Sequence, residues 1–182
     1  MRYFRKLVGK KCYLSPINVD DFELFTAWQN DLEVAEYLQA SGNVVTLMSE
    51  KAALEKRAQE HNYEIIDLET DKPLGLVGLV RTDYVNRSGK LRIFIGDKAY
   101  LGKGYGREAV RLLLGYVFDY LNLNSVLLTV REDNTRAIAC YTSVGFKRAG
   151  RYRQSILRTG RFHDEIVMDI LAEEFRAANA DR

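Results

Sequence analysis

The chain has 182 residues, 47% of them hydrophobic and 29% charged, which suffices for one well-filled core. Twenty-seven basic and 25 acidic residues leave a formal net charge of +2, too small to predict general attraction to nucleic acid or an anionic membrane. The apolar runs are shorter than the roughly 20 residues of a membrane-spanning helix. No signal peptide is recognised, and the two cysteines and two histidines lack metal-ligand spacing, so we expect a cytoplasmic protein without a structural metal.

The first half of the sequence predicts helices followed by an antiparallel meander. Residues 11–14 are typical of a strand that stops at Pro16, and Asp20 stands where an N-cap would precede the first helix. Apolar residues keep a helical period over 22–38, with a break at Asn30-Asp31, and Ser49 is expected to cap a helix to about residue 61. Strands are predicted at 63–68, 74–84 and 91–95, separated by polar turns at 69–72 and 86–89.

The second half alternates strands with helices. The predicted elements are a glycine-rich turn at 102–106, a helix whose apolar face runs over 110–121, a strand at 126–130, a helix opened by Asn134 and closed by Gly145, a strand from Phe146, and a last strand at 166–171. No linker interrupts the chain, so we predict one domain over residues 1–182 with frayed ends. This order predicts an α+β fold with a mainly antiparallel sheet and at least one crossover.

The most informative local feature is the glycine-rich turn Leu101-Gly102-Lys103-Gly104-Tyr105-Gly106-Arg107, between a strand and an amphipathic helix. Alternating glycines let backbone N–H groups turn inward, and a helix N-terminus adds free donors and about half a positive charge. Lys103 and Arg107 would add cations at the edge. This arrangement predicts a phosphate or pyrophosphate site, although the glycines could instead serve only a tight strand-to-helix connection.

Two familiar nucleotide motifs are excluded by the spacing. A P-loop has Lys and then Ser or Thr after its last glycine, whereas Gly106 is followed by Arg107 and Glu108. The dinucleotide fingerprint is G-x-G-x-x-G after the first strand of a parallel unit, whereas here G-x-G-x-G follows strands predicted to be antiparallel. Neither a P-loop nucleotide nor a nicotinamide cofactor is therefore expected.

The strand at 91–95, the glycine turn and the segment from Asn134 to Phe146 together resemble the GNAT N-acetyltransferases, particularly the branch of bacterial ribosomal-protein N-terminal and spermidine acetyltransferases. The resemblance runs over residues 74–171 and more loosely through the N-terminal helices. It implies a GNAT-like single domain, with a mixed sheet splayed between two parallel strands and flanked by helices. It also implies acetyl-CoA as co-substrate, without a metal.

The resemblance implies roles for particular residues. Acetyl-CoA would lie in a wedge between the strand ending at Ile95 and the strand ending at Val130, where Phe94 and Ile95 would pair with the pantetheine arm. Asn134 matches a position that contacts that arm, and Tyr141 matches the position of a phenol that protonates the departing thiolate. From spacing alone, Tyr141 could also be a core aromatic. The pyrophosphate would bind the backbone N–H groups of Gly102, Lys103, Gly104, Tyr105, Gly106 and Arg107.

The sequence departs from the family pattern at two positions. Leu101 replaces the Gln, Arg or large aromatic that usually precedes the first glycine, and Thr129 stands where some N-terminal acetyltransferases have a glutamate base. Candidate bases by charge alone are Glu36, Asp83, Glu132, Asp164 and Glu165, of which Asp164 could instead be structural. The adjacent His163 could serve as a base or contact the acceptor. Cys140 is expected to pack rather than to act as a nucleophile, because no histidine is placed to activate it.

The acceptor would enter across the N-terminal helices, where Trp28, Asn30, Glu33 and Glu36 are candidate wall residues. We expect an enzyme that transfers acetyl to a primary amine, either a small molecule or a peptide N-terminus, by direct attack in a ternary complex. A non-catalytic acyl-CoA-binding or sensing module is the alternative. Neither nucleic acid nor a membrane is an expected partner, and the stretch 151–162 could form a homodimer interface.

Overall fold

The computed structural model describes residues 2–38 and 42–179, which form strands and helices in mixed order. The strands are β1 (Leu7–Val8), β2 (Cys12–Pro16), β3 (Asn62–Asp67), β4 (Pro73–Asp83), β5 (Ser88–Ile95), β6 (Ser125–Arg131), β7 (Lys147–Arg158) and β8 (Arg161–Leu171). The helices are α1 (Phe22–Asn30), α2 (Leu32–Ala35), α3 (Leu47–Ala58), α4 (Tyr105–Asp119), α5 (Thr135–Val144) and α6 (Ala172–Asn179). No helix in these two ranges is long and apolar enough to cross a bilayer.

The strands form a sheet of order β1-β2-β3-β4-β5-β6-β8-β7. Strand β5 pairs in parallel with β6, whereas β1 with β2, β2 with β3, β3 with β4, β6 with β8, and β8 with β7 are antiparallel. The predicted α+β class, with a mixed and mainly antiparallel sheet, is therefore confirmed. The parallel register joins three residues on each strand, Ser88–Lys90 with Ser125–Leu127, although β5 continues to Ile95 and β6 to Arg131.

The chain divides into two compact units by its internal contacts. The first unit contains the residues up to Leu79 together with Arg92–Leu113, and the second contains Val80–Leu91 and the residues from Leu114 onward. Strands β4 and β5 and helix α4 each contribute residues to both units. The single domain over residues 1–182 stays a prediction.

The first unit has a core beneath α1 and α3. Phe25, Leu54 and Leu76 are almost completely buried there, and Trp28 and Phe94 pack against them. Because α1 and α3 each present apolar residues on one face, burying those faces against β4 and β5 stabilises both helices.

The start of the first unit adds one strand to the sequence predictions and corrects two of them. Strand β1 was not predicted, and Gly9 closes its hairpin with β2 by donating its N–H to the Cys12 carbonyl oxygen at 2.9 Å. Asn18, not Asp20, caps the first helical turn, because its side chain accepts from the Asp20 N–H. Thr46, not Ser49, caps α3, with Ser49 as the reciprocal member of a capping box.

The helical break at Asn30-Asp31 is confirmed. Asp31 has extended backbone and accepts hydrogen bonds from the N–H groups of Glu33 and Val34, so it ends α1 and begins α2.

The second unit confirms the helix between Asn134 and Gly145 but corrects the elements around it. Gly145 has φ of +115°, the left-handed conformation expected at a helix end. Strand β8 begins at Arg161, not at residue 166, and forms a long hairpin with β7. The sequence did not indicate this hairpin because nearly all residues of β7 are exposed. In β8, buried residues alternate with partly exposed ones only from Asp164 onward. After β8 the chain continues into α6, which was not predicted, and the expected fraying of the ends stays a prediction.

Candidate active site

The glycine-rich turn of the first unit has the backbone conformation that its sequence predicts. Gly102 and Gly104 have φ of +73° and +90°, and a Cβ at either position would meet nothing within 4 Å. Glycine is thus required at both positions by backbone conformation and not by lack of space. Helix α4 begins immediately afterwards at Tyr105, and its first i to i+4 hydrogen bond runs from the Glu108 N–H to the Gly104 carbonyl at 3.1 Å. The amides before Glu108 therefore have no acceptor within the helix.

Glu108 anchors the first turn of α4 to the β1–β2 hairpin. Its carboxylate accepts the backbone N–H groups of Lys10, Lys11 and Cys12 at 2.8, 2.7 and 2.9 Å. Partial burial acts to raise the pKa of Glu108, but these three hydrogen bonds outweigh it and the pKa is lowered. The carboxylate therefore stays ionised and fixes the position of the loop that precedes it.

Side chains around the loop divide into anchored aromatics and exposed cations. The Tyr105 hydroxyl donates to Oδ2 of Asp67 at 2.7 Å, and this bond raises the pKa of Tyr105 to about 12. Tyr100 packs edge-on against the Tyr105 ring, with centroids 5.2 Å apart. Lys103 lies over the Tyr100 ring at 5.7 Å, and Arg107 is exposed. The Tyr105 side chain is thus engaged in the fold, so only its backbone N–H remains as a ligand donor.

Phe94 and Ile95 end strand β5 and face opposite sides of it. The Phe94 ring packs edge-on against Phe25 and Trp28, with centroids 5.8 and 6.3 Å apart. On the other face, a Cβ placed on Gly106 would lie 3.8 Å from Ile93 and 4.0 Å from Ile95. The structure therefore brings Ile95 to the glycine loop and fixes Phe94 in the aromatic core.

In the second unit, Asn134 caps α5. Its Oδ1 accepts the Ala137 N–H at 3.1 Å, so the side-chain carbonyl is occupied by the helix. The Nδ2 group is the part of the side chain that could donate to a ligand.

Tyr141 lies on α5 and is 9% exposed, with its ring edge-on to Phe146 at 5.9 Å. Its hydroxyl makes no hydrogen bond with any residue that the structure describes. Burial raises the pKa of Tyr141 well above the ordinary phenol value, and the neighbouring Cys140 adds to the effect. The phenol consequently remains protonated throughout the neutral range.

The structure shows most of the acidic candidates for a general base in structural roles. Asp164 accepts the Gln154 N–H at 2.7 Å and a hydrogen bond from Arg151. The hydrogen bond from the Gln154 N–H is the main reason why the pKa of Asp164 is lowered. Asp83 accepts the Asn86 N–H in the β4–β5 turn, which likewise lowers its pKa. A carboxylate with a lowered pKa is a weak base.

The remaining base candidates are also engaged or exposed. Glu132 contacts Arg151 at 3.2 Å, and Glu165 accepts the Ser155 hydroxyl at 3.1 Å. His163 Nδ1 lies 3.5 Å from Asp133 Oδ2, and Glu36 is exposed. None of these contacts singles out one residue as the base.

The predicted acceptor-wall residues belong mainly to the framework of the first unit. Trp28 packs in the aromatic core, and Asn30 donates to the carbonyl oxygens of Thr26 and Val45 at 2.9 and 2.8 Å. Glu33 pairs with Lys98 at 2.8 Å. Glu33 is the one acid among these three residues, and its charge is paired with Lys98.

One buried and one half-buried charged residue of this unit were not found from the sequence. Glu64 on β3 and Arg92 on β5 each stand among apolar strand residues, where periodicity reveals burial but not the presence or absence of a partner. In the described part of the chain, no three His, Cys, Asp or Glu side chains come together as metal ligands.

The comparisons with known proteins agree with this arrangement. The sequence model of the acetyltransferase (GNAT) domain matches residues 11–147. An uncharacterized N-acetyltransferase, p20 of Bacillus licheniformis, is 25% identical over 177 residues, covering 93% of this chain and 97% of the relative. The spermidine N(1)-acetyltransferase of Vibrio cholerae is 32% identical over 102 residues, which are 56% of this chain and 58% of that protein.

A crystal structure of spermidine N-acetyltransferase from Vibrio cholerae in complex with CoA and spermine has the same fold. Its TM-score is 0.83 at 24% identity, covering 92% of this chain and 99% of that one. Together with the match of the family model over most of the sequence, this confirms the predicted family and its GNAT fold. The chain belongs to the GNAT acetyltransferases and is an acyl-CoA-dependent N-acetyltransferase.

Proposed function

We propose that the chain transfers the acetyl group of acetyl-CoA to a small-molecule primary amine in the cytoplasm. Its similarity to spermidine acetyltransferases supports a small amine as the acceptor in preference to a peptide N-terminus. Two free cysteines, Cys12 and Cys140, are consistent with a reducing compartment.

The observation that carries the proposal is the glycine loop at the N-terminus of α4. Gly102 and Gly104 adopt positive φ there, which supports a loop whose N–H groups face a diphosphate. The N–H groups of Tyr105, Gly106 and Arg107 would complete the binding, and the exposed side chains of Lys103 and Arg107 would neutralise charge. The pantetheine amides would pair with the backbone of Phe94 and Ile95 and accept from Asn134 Nδ2.

The proposed chemistry is direct attack in a ternary complex. The neutral amine nitrogen forms a bond to the thioester carbonyl carbon, the carbon–sulfur bond breaks, and the amine proton leaves to solvent. Tyr141 gives its proton to the departing thiolate and regains one from water. Because the pKa of Tyr141 is raised, the donor is fully protonated at neutral pH, and its proton moves only as negative charge develops on sulfur.

The test is acetyl-CoA-dependent release of free thiol across polyamines, amino acids, aminoglycosides and short peptides. We expect Tyr141→Phe to lower kcat by about 100-fold or more, the usual contribution of a positioned acid, without weakening acetyl-CoA binding. Tyr120→Phe is the matched control, because Tyr120 lies just after the end of α4, is 77% exposed and should leave kcat unchanged.

Each outcome of this experiment separates one part of the proposal from the others. Unchanged kcat in Tyr141→Phe would assign Tyr141 to core packing alone. Failure to bind acetyl-CoA would overturn the proposed reaction. Tight binding with no turnover of any amine would favour the non-catalytic acyl-CoA-binding module.

We also infer that two copies associate through the β7–β8 hairpin. Leu157 and Phe162 are register partners on its two strands, and they are 53% and 61% exposed. Tyr152, also on β7, is 57% exposed. A cross-strand apolar pair at the edge of a sheet favours association.

A further inference from the structure

Strand β5 carries a half-buried arginine that has no ion-pair partner within the described residues. This residue is Arg92, whose Nη2 reaches Asn62 Oδ1 only at 3.5 Å, the outer limit of a hydrogen bond. Its Nε is the buried part of the guanidinium group and has no acceptor among residues 2–38 and 42–179. Partial burial lowers the pKa of Arg92 to about 10, and the like charge of Arg57 adds to the effect. The described part of the fold thus gives this cation one long hydrogen bond and leaves its Nε unsatisfied.

The carboxylates nearest to Arg92 are engaged elsewhere. Glu50 is 3% exposed and accepts a hydrogen bond from Arg57 at 2.8 Å. Glu60 accepts from the Asn62 amide at 3.4 Å. A buried N–H of a cation that has no acceptor destabilises a folded protein unless a ligand supplies that acceptor. Arg92 is therefore a position where an external anion would be stabilised.

The direction of Arg92 excludes the diphosphate of acetyl-CoA as that anion. Successive strand residues point to opposite faces, and Ile93 and Ile95 lie on the face next to Gly106 of the glycine loop. Arg92 and Phe94 share the other face, where Arg92 reaches Asn62 and Phe94 packs against Trp28. Arg92 precedes Phe94 by two residues, about 6.6 Å along the strand. It therefore lies on the face of β5 opposite the glycine loop proposed to bind the phosphates.

We propose that Arg92 binds a carboxylate carried by the acceptor, so that the substrate is an amine that is also a carboxylic acid. This inference rests on the proposed acetyl transfer and specifies its substrate class. A guanidinium presents paired donors that match a carboxylate, and the bond is strengthened by charge and by exclusion of water. A polyamine has no such group and would instead meet Arg92 and Arg57 as like charges.

The experiment compares acceptors that differ only by a carboxylate: lysine with cadaverine, ornithine with putrescine, and tyrosine with tyramine. For the wild type we expect kcat/KM to favour the acid in at least one pair by 10-fold or more. Arg92→Met should lower kcat/KM for that acid by about 10- to 100-fold, the effect of losing a charge-assisted hydrogen bond. It should leave kcat/KM for the decarboxylated amine and the Kd of acetyl-CoA unchanged.

Two controls separate recognition from folding. Arg81→Met removes the same charge from an exposed position on β4 and should leave the acid-to-amine ratio unchanged. Thermal unfolding of Arg92→Met should give an equal or higher Tm, because an apolar side chain replaces a half-buried charge whose Nε has no acceptor among the described residues. A clear fall in Tm with an unchanged ratio would make Arg92 a structural residue and overturn the proposal.

The remaining outcomes also decide between the two proposals. Preference for the decarboxylated amine in every pair, or an unchanged ratio in active Arg92→Met, overturns the role of Arg92 but leaves acetyl transfer intact. If no amine is turned over, the proposed reaction fails, and calorimetric titration of Nε-acetyl-lysine into the CoA-saturated protein tests Arg92 by itself. Binding that is absent, or equal in wild type and Arg92→Met, would then overturn it.

Discussion

Glu64 is the residue whose titration should most clearly affect stability. It is fully buried on β3, where Oε1 accepts the Asn18 N–H at 2.9 Å and Oε2 has no hydrogen-bond partner in the part of the chain that the structure describes. The neighbouring Asp21 carboxylate is held by Arg2, by the Tyr3 hydroxyl at 2.9 Å and by Asn18 Nδ2 at 3.2 Å. Burial raises the pKa of Glu64 to about 9, and repulsion from Asp21 adds to the shift.

This raised pKa predicts a pH-dependent free energy of unfolding. Between the ordinary glutamate pKa and about 9, the unfolded chain releases the Glu64 proton while the folded chain keeps it, so stability falls as pH rises. The slope should approach but not exceed about 1.4 kcal/mol per pH unit, the value for one proton. Denaturant unfolding at pH 5 to 8 measures this slope.

Glu64→Gln should flatten that dependence and increase stability at pH 8. The amide keeps an acceptor for the Asn18 N–H, can donate to Asp21 and does not titrate in this range. Glu55→Gln on the exposed side of α3 is the control and should reproduce the wild-type slope. Equal slopes in Glu64→Gln and wild type would show that Glu64 titrates normally in the folded protein.

Helix α4 and its glycine loop form the element on which cofactor binding should depend. Gly104→Ala forces φ of +90° on a residue with a Cβ, so we expect a loss of about 1 to 2 kcal/mol in stability and roughly 10-fold weaker acetyl-CoA binding. The space around Gly104 is open, so the effect tests backbone conformation alone. Calorimetric titration with CoA and thermal unfolding measure the two quantities.

Gly115→Ala is the matched control within the same helix. Gly115 lies in the interior of α4, with open space around a Cβ and no positive φ, so alanine should stabilise the helix by up to about 1 kcal/mol. CoA affinity should not change. If both substitutions weakened CoA binding equally, the conformation of the loop would not be the cause.

At the scale of the whole molecule, the β7–β8 hairpin predicts a dimer. We expect light scattering to give twice the 20.9 kDa mass of one chain, and the double variant Leu157→Asp, Phe162→Asp to give the monomer mass. Charges introduced on both partners of an apolar cross-strand pair would be too costly to bury. Val85→Asp, in a turn and 91% exposed, is the control that should stay dimeric. A wild-type monomer at micromolar concentration would contradict the interface.

The sequence by itself determined the features that depend on neighbouring residues. The break at Asp31, the Asn134 cap and the positive φ of the glycine loop follow from side chains within a few positions, because caps and backbone conformations are local. The α+β class followed from the order of such local elements, and the family from the resemblance of three segments. Such signals also predicted a ligand loop before α4, although its ligand stays a proposal.

Only the tertiary structure decided which charged groups have partners. Glu108 fixes the glycine loop through amides almost 100 residues away, whereas half-buried Arg92 has no ion pair among the described residues and its Nε is unsatisfied. Both are ordinary charged residues in sequence. Their difference arises because burial and long-range pairing depend on which segments the fold brings together, and no local pattern encodes that.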